Sequence, residues 1–379
     1  MNKVKTLLAI GLTVMTFALA GPLSAADVET RKDFSVAGKI LEVDNLAGSV
    51  KLLEAKGDKF EIQATVKADK SAGLTATEIA DLIGFYSVKN GSKHKFRVLY
   101  PVDDYRKYTY RDGSNRGNNS TRVRYQKKRV SVSSKARSDA LNVHVDLVIR
   151  VPNGSSLRVK NRVGPIKGNG LQAKLNLDTG SGEISIEKSQ GSLRADTGSG
   201  RVTVVAYTGD ILANTGSGSV TVTDVDGDVN ADTGSGSVEL NNVHAEEILV
   251  DTGSGRVILN NVSGSLRVDT GSGSVTAKKF LAGEIVDVDT GSGNIAIAGD
   301  LGAVRKLRLD TGSGGVRVKT NQALNMVLRI ETGSGGIDVD LPDLSNVTSK
   351  DNQFEAQIGR GDGQGIIDTG SGSVTVSMK

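Results

Sequence analysis

Eight aspartates share one five-residue phrase, Asp-Thr-Gly-Ser-Gly, at Asp178, Asp196, Asp232, Asp251, Asp269, Asp289, Asp310 and Asp368. The first four residues of that phrase also surround the catalytic carboxyl of an aspartic protease. Such chemistry needs two carboxyls converging on one water and sharing a proton. Eight uniform copies mark out no pair, so the phrase reads as a turn. A row of acids could also hold a hard cation such as Ca²⁺, yet the Gly-Gly-x-Gly-x-Asp pattern of calcium-binding β-rolls is missing. The simpler expectation is that each carboxylate accepts hydrogen bonds from N–H groups of its own turn, which favours its charged form.

A second constellation is cationic. Arg122, Arg124, Lys127, Lys128 and Arg129 lie close together, with Tyr105, Tyr108, Tyr110 and Tyr125 interleaved. They form the candidate polyanion-binding site, suited to acidic polysaccharide, lipopolysaccharide phosphate or the acidic part of the same chain. The alternative is a solvated hairpin whose charge confers solubility. Arg267, Asp287, Arg308 and Arg329 recur two residues before the repeated phrase and are expected to line one outer strip. Carbohydrate-active β-helices place acids and bases on such a face, so a glycan-degrading enzyme is the enzymatic alternative, although no acid–base pair stands out. His94, His144 and His244 are far apart in sequence and do not suggest a shared metal. Arg360-Gly361-Asp362 matches the integrin tripeptide, which turn formation in a glycine-rich chain explains. No catalytic residue, metal or cofactor is implied.

What positions these groups is a repeat. Asn214 and Glu331 begin two further copies of the phrase, and successive starts lie 18, 18, 18, 19, 18, 20, 21, 21 and 37 residues apart. Counted from the phrase's first residue, position −1 is apolar in all ten copies, +6 is always Val or Ile, and +8 is Val, Ile, Leu or Ala. Apolar residues two apart mean strand, because side chains alternate faces along an extended chain. Two short strands per repeat, joined at Gly-Ser-Gly, imply a solenoid. The glycines are expected to supply positive φ at the turn, and Thr at +1 shares the inward parity of −1, which predicts a buried ladder of hydroxyls. The fold class is therefore all-β, a parallel β-solenoid of roughly 18–21-residue coils, with right-handed crossovers expected on general grounds. A single coil cannot stand alone; stacking offsets the entropy of ordering it.

The chain has 379 residues, aromatics are 4% of them, and Gly numbers 47. Narrow coils filled by Val, Ile and Leu suit that composition better than one large core. Residues 1–25 read as a secretory signal peptide: Lys3 and Lys5, the apolar run Leu7 to Ala20, then a small-residue cleavage site. The expectation is export to the periplasm, the outer surface or the medium, with no transmembrane anchor and no nucleic-acid partner. Cysteine is absent, which leaves neither a lipidation site nor a disulfide framework. Charge is divided: residues 85–162 carry 19 Lys+Arg against 5 Asp+Glu, while 163–379 carry 18 against 27.

In chain order, 26–162 forms an N-terminal β-rich region with the basic insert, and 163–379 forms the repeat solenoid. Ile40–Asp44 and Gly48–Leu52 imitate a coil, Thr75 to Ile83 is the best short helix, and Thr75 with Glu78 fits a capping box. Pro101 to Ala140 is expected to be a long loop or hairpin whose tip is Gly113–Ser120. Leu341 to Gly365 interrupts the array before the final coil.

Three stretches carry a resemblance: Leu41–Val50, Asp146–Gly154, and the Thr-Gly-Ser-Gly array with its Gly-Asp-Gly-Gln-Gly close at 361–365. Together they resemble the bacterial family of exported β-strand-repeat adhesin candidates, a domain of unknown function. The resemblance covers nearly all of the chain after the leader. It implies the solenoid and a surface or envelope role, and it brings no activity to carry over. The functional expectation is a non-enzymatic exported binding scaffold, with a self-assembling envelope element as a further alternative to the glycan-active enzyme.

Overall fold

The computed structural model describes residues 27–111, 120–135 and 137–378. The expected signal peptide and most of the expected loop tip, 113–119, lie outside the described residues. The chain divides into two compact units, 1–192 and 193–379. It is an all-β protein, a β-solenoid of parallel coils. Among the described residues, no helix is long and apolar enough to cross a membrane.

In the first unit, two sheets face each other. One runs Gly84–Asn90, Lys93–Leu99, Ile40–Ala47, Ser155–Val163, Ala173–Ser181, with only the first pair antiparallel. The other runs Asp27–Ala37, Lys59–Asp69, Leu141–Val151, Val50–Glu54, Ile166–Asn169, Ile184–Gln190. The imitation coil at 40–54 therefore stacks directly on 155–169. Strict alternation on Lys59–Asp69 and Leu141–Val151 puts Phe60, Ile62, Val143 and Val145 inside. Phe34 and Phe96 meet edge to face at 5.0 Å in the core. The helix is Ala76–Asp81, capped by Thr75 and Glu78 through both bonds of a capping box.

In the second unit, each coil contributes one strand to each of two parallel sheets. The first sheet begins Leu193–Thr197, Ile211–Thr215, Val229–Thr233, and the second begins Val202–Thr208, Val220–Asp226. The three long strands Val238–Thr252, Val257–Thr270 and Val275–Thr290 serve both sheets in turn. Every residue at −1 is buried, as is every residue at +6 except Ile337.

The far end of this stack departs from sequence order. Gly363–Thr369, from the last repeat, lies between Lys306–Thr311 and Met326–Thr332, parallel to both. Val374–Met378 likewise lies between Val316–Thr320 and Ile337–Asp340. The last coil in the chain is thus next to last in the stack. The outermost coil, 326–340, is covered on one strand by antiparallel Gln353–Ile358, itself paired with Leu344–Lys350. Its other strand, Ile337–Asp340, has no neighbour beyond it among the described residues, which is why Ile337 is half-exposed.

Candidate functional site

The Gly-Ser-Gly corner is built by close approach. A Cβ placed on Gly236 would sit 1.7 Å from the carbonyl oxygen of Gly218, and one on Gly273 would sit 1.7 Å from that of Gly255. These glycines do not have the positive φ that the sequence suggests; the coils stack too tightly for any side chain there. Positive φ falls elsewhere, ten residues after the phrase begins, at Ala206, Asp224, Asn242, Asn261 and Lys279. The buried threonine ladder forms as the parity argument predicts, from Thr179 to Thr369. Thr, not Asp, takes the turn N–H: Gly236 donates its N–H to Thr233 Oγ1 at 3.0 Å. The carboxylates are left on the outer surface.

In the second unit these acids stack in register: Asp196, Asn214, Asp232, Asp251, Asp269, Asp289, Asp310, Asp368, Glu331. Arg308 bonds Asp289 at 3.0 Å, Asp310 at 2.8 Å and Asp287 at 3.3 Å. Arg267 pairs with Glu247 instead. Asp232, Asp251 and Asp269 make no ion pair among the described residues, although the more distant Arg308 charge acts on Asp269. Partial desolvation and then the charges of Asp251 and Asp289 raise the Asp269 carboxyl above the ordinary aspartate value. The strip two residues earlier runs Arg267, Asp287, Arg308, Ile366, Arg329. Ile366 intervenes because the final coil is inserted there, so Arg308 and Arg329 are not neighbours.

The basic cluster occupies an antiparallel hairpin, Ser120–Tyr125 with Lys128–Ser133. Its turn is Gln126-Lys127, both at positive φ, 46° and 67°. Such a pair makes a turn whose twist matches the strands it joins. Arg122, Arg124, Lys127 and Arg129 are exposed; Lys128 is half-exposed and pairs with Asp103 at 3.0 Å. Arg124 lies directly across from Arg129. The interleaved tyrosines point the other way. Tyr108, Tyr110 and Tyr125 are buried, and Tyr105 is half-buried. Tyr125 donates its hydroxyl proton to the carbonyl oxygen of Val98 at 2.6 Å, with that of Asp44 2.9 Å away. Tyr100 packs edge-on against both Tyr108 and Tyr125. These rings anchor the hairpin to the first unit.

Beside that anchor, the outer face of the first unit holds a groove of about 380 Å³ lined by Tyr86, Val88, Lys95, Arg97, Arg158 and Lys160, with Glu42 and Asp44 on its floor. Cross-strand register brings them together: Tyr86 opposite Arg97, Arg97 opposite Asp44, Asp44 opposite Lys160, and Lys95, Glu42, Arg158 in the next row. The Lys93 ammonium, bonded to Glu42, holds that carboxyl below its ordinary value against the opposing effect of burial, with help from Lys95 and Arg158. Sequence reasoning missed this site. Alternation along Phe85-Tyr86-Ser87-Val88 carries the signal, since an inward Phe85 forces Tyr86 out.

The sequence model of the Toastrack DUF4097 family matches residues 24–377. The chain belongs to the Toastrack family. A crystal structure of a candidate cell adhesion protein from Clostridium sporogenes is similar at 9% identity and a TM-score of 0.23, covering 93% of this chain and 100% of that one. No curated protein matches. In this Toastrack chain the remaining motifs are engaged locally. Asp362 accepts from Asn325 at 2.8 Å and pairs with Arg360 at 2.9 Å within a turn at Gly361, so the Arg-Gly-Asp acid is turned back on its own chain. The three histidines stand on separate strands, Lys93–Leu99, Leu141–Val151 and Val238–Thr252.

Proposed function

We propose that this protein is a non-enzymatic, exported binding scaffold of the cell envelope or surface, and that its ligand is an anionic saccharide, whether acidic glycan or lipopolysaccharide. The observation that carries the reading is the hairpin's outer face. Arg124 and Arg129 are cross-strand partners, and like charges directly opposite each other are destabilising. Arg122 and Lys127 add exposed cations with no acid partner among the described residues. The tyrosine footing holds this charge at a fixed place. A rigid surface carrying unneutralised charge favours a polyanion, with salt-sensitive affinity.

The test replaces Arg122, Arg124, Lys127, Lys128 and Arg129 together by Gln and measures binding of an acidic oligosaccharide and of purified lipopolysaccharide at two salt concentrations. Weakened binding, a shallower salt dependence and an unchanged β spectrum are expected. Unchanged binding would reduce the hairpin to a solubilising element.

A further inference from the structure

We infer that the groove at Tyr86 is a sugar-reading subsite, in which the phenol ring stacks on a hexose and Arg158 holds that sugar's carboxylate or phosphate. The inference rests on the binding-scaffold reading and names the chemistry the ligand must carry.

Three features converge on it. Tyr86 is 46% exposed although it stands in the middle of a strand, and its hydroxyl makes no hydrogen bond among the described residues. A large aromatic at the wall of a groove offers an apolar face with a polar tip, the combination that suits a sugar's C–H face and hydroxyl rim. The cations around it outnumber the acids. Lys93 and Lys95 share Glu42, at 2.9 and 3.7 Å. Arg97 and Arg162 share Asp44, at 3.0 and 3.3 Å, and Lys160 pairs with Asp178 at 3.6 Å. That leaves Arg158, exposed beside Glu42, with no ion pair or hydrogen bond of its own among the described residues. A guanidinium is a planar fork that matches carboxylate or phosphate bidentately. The groove, at about 380 Å³, falls at the low end of small-ligand sites, roughly 300–1,000 Å³.

Geometry also links this groove to the hairpin. The Tyr125 hydroxyl reaches the backbone carbonyl of Asp44, and the Asp44 carboxylate lies on the groove floor. A chain of anionic sugars seated at Tyr86 has the hairpin's cations on the same unit for its further residues. The groove then reads the sugar and the hairpin supplies sequence-independent attraction.

The experiment uses the mature full-length protein and four probes: a trigalacturonate, a phosphorylated glucosamine disaccharide, inorganic tripolyphosphate and a thymidine oligonucleotide. Y86A is expected to weaken at least one of the two sugars by about tenfold and to leave tripolyphosphate unchanged. Y86W is expected to restore the affinity, because a ring returns. Which sugar is lost tells carboxylate from phosphate as the natural anion. R158Q is expected to weaken that same sugar. The exposed position of Tyr86 predicts an unchanged melting temperature for both variants. The inference is overturned if Y86A binds both sugars like the parent, if it weakens tripolyphosphate equally, or if a thymidine oligonucleotide binds with the same dependence on Tyr86. In those outcomes the hairpin variant still reports on the broader reading. Failure of the parent protein to bind any of the anions would sink both.

Discussion

Thr233 donates its hydroxyl proton to the carbonyl oxygen of Gly218, 2.9 Å away, and so ties its coil to the one before it. The Thr233 hydroxyl oxygen in turn accepts the N–H of Gly236 at 3.0 Å. Thr233 is buried and the two glycines are half-buried, so one hydroxyl satisfies a donor and an acceptor at once. Thr233→Val keeps the shape and removes both bonds. It should cost about 1–3 kcal/mol, the range for leaving buried polar groups unpaired, and the urea midpoint reads it. Thr233→Ser should cost less. A larger loss in Thr233→Ser than in Thr233→Val would mean that methyl packing, not the hydrogen bonds, matters at this position.

Glycine at the corner is fixed by the same stacking. Gly236→Ala would press a methyl group against the Gly218 carbonyl, 1.7 Å from an ideal Cβ. Because backbone must move, about 3 kcal/mol or more should be lost. Ala206 presents the reverse case: it holds φ at 54°, a region that disfavours an L side chain. Ala206→Gly should gain roughly 0.5 kcal/mol, strain relief being partly offset by entropy of the unfolded chain. Equilibrium unfolding of the pair checks both signs. A stable Gly236→Ala protein would contradict the spacing of the coils.

The acidic row predicts a pH effect of definite sign. The Asp269 carboxyl is raised by desolvation and by its neighbours Asp251 and Asp289, so the folded protein binds that proton more tightly than the unfolded chain does. Its charge therefore opposes folding above the folded value, and the penalty fades as pH falls through it. Asp269→Asn should stabilise at pH 7 by a few tenths of a kcal/mol after solvent screening. The gain should vanish below about pH 4, near the unfolded aspartate value. Asn214 already occupies this row without an interruption of register. Melting curves across that range would show the crossover; a constant difference would point to packing instead of charge.

Alternation made the solenoid legible, because −1, +6 and +8 sit on one face whatever the tertiary context, and Thr at +1 followed from the same parity. Glycine gave the right residue for the wrong reason: a sequence cannot separate a need for positive φ from a need for no Cβ. The asparagines and other residues at +10 hid the real left-handed positions, since Ala206 and Lys279 are not turn formers. The hairpin turn was obscured in the same way. Gln126-Lys127 lacks the Asn-Gly signature of such turns, so local sequence did not mark it. Tyr108, Tyr110 and Tyr125 looked like companions of the basic cluster because sequence proximity does not say which face a ring takes.

The inserted last coil was the least legible feature, and it gives the sharpest prediction. A 37-residue step equals about two coils in length, so sequence alone places the last repeat at the end of the stack. In the fold, Ile367 lies between Leu309 and Ile330 and is fully buried, while its neighbour Ile366 points outward and is 51% exposed. Ile367→Asp would put an unpaired charge between coils and should cost several kcal/mol, roughly 3–5. Ile366→Asp should change stability by less than about 0.5 kcal/mol. At the end of a stack, by contrast, one side of Ile367 would be open and its substitution milder. Ending the chain at Arg360 separates the two arrangements further. If the last coil were terminal, the coils before it would stay paired and protected. With the coil inserted, the truncation removes the partner of both Lys306–Thr311 and Met326–Thr332, so residues 326–358 should become accessible to protease under native conditions. Protection of that segment in the truncated chain would overturn the inserted order.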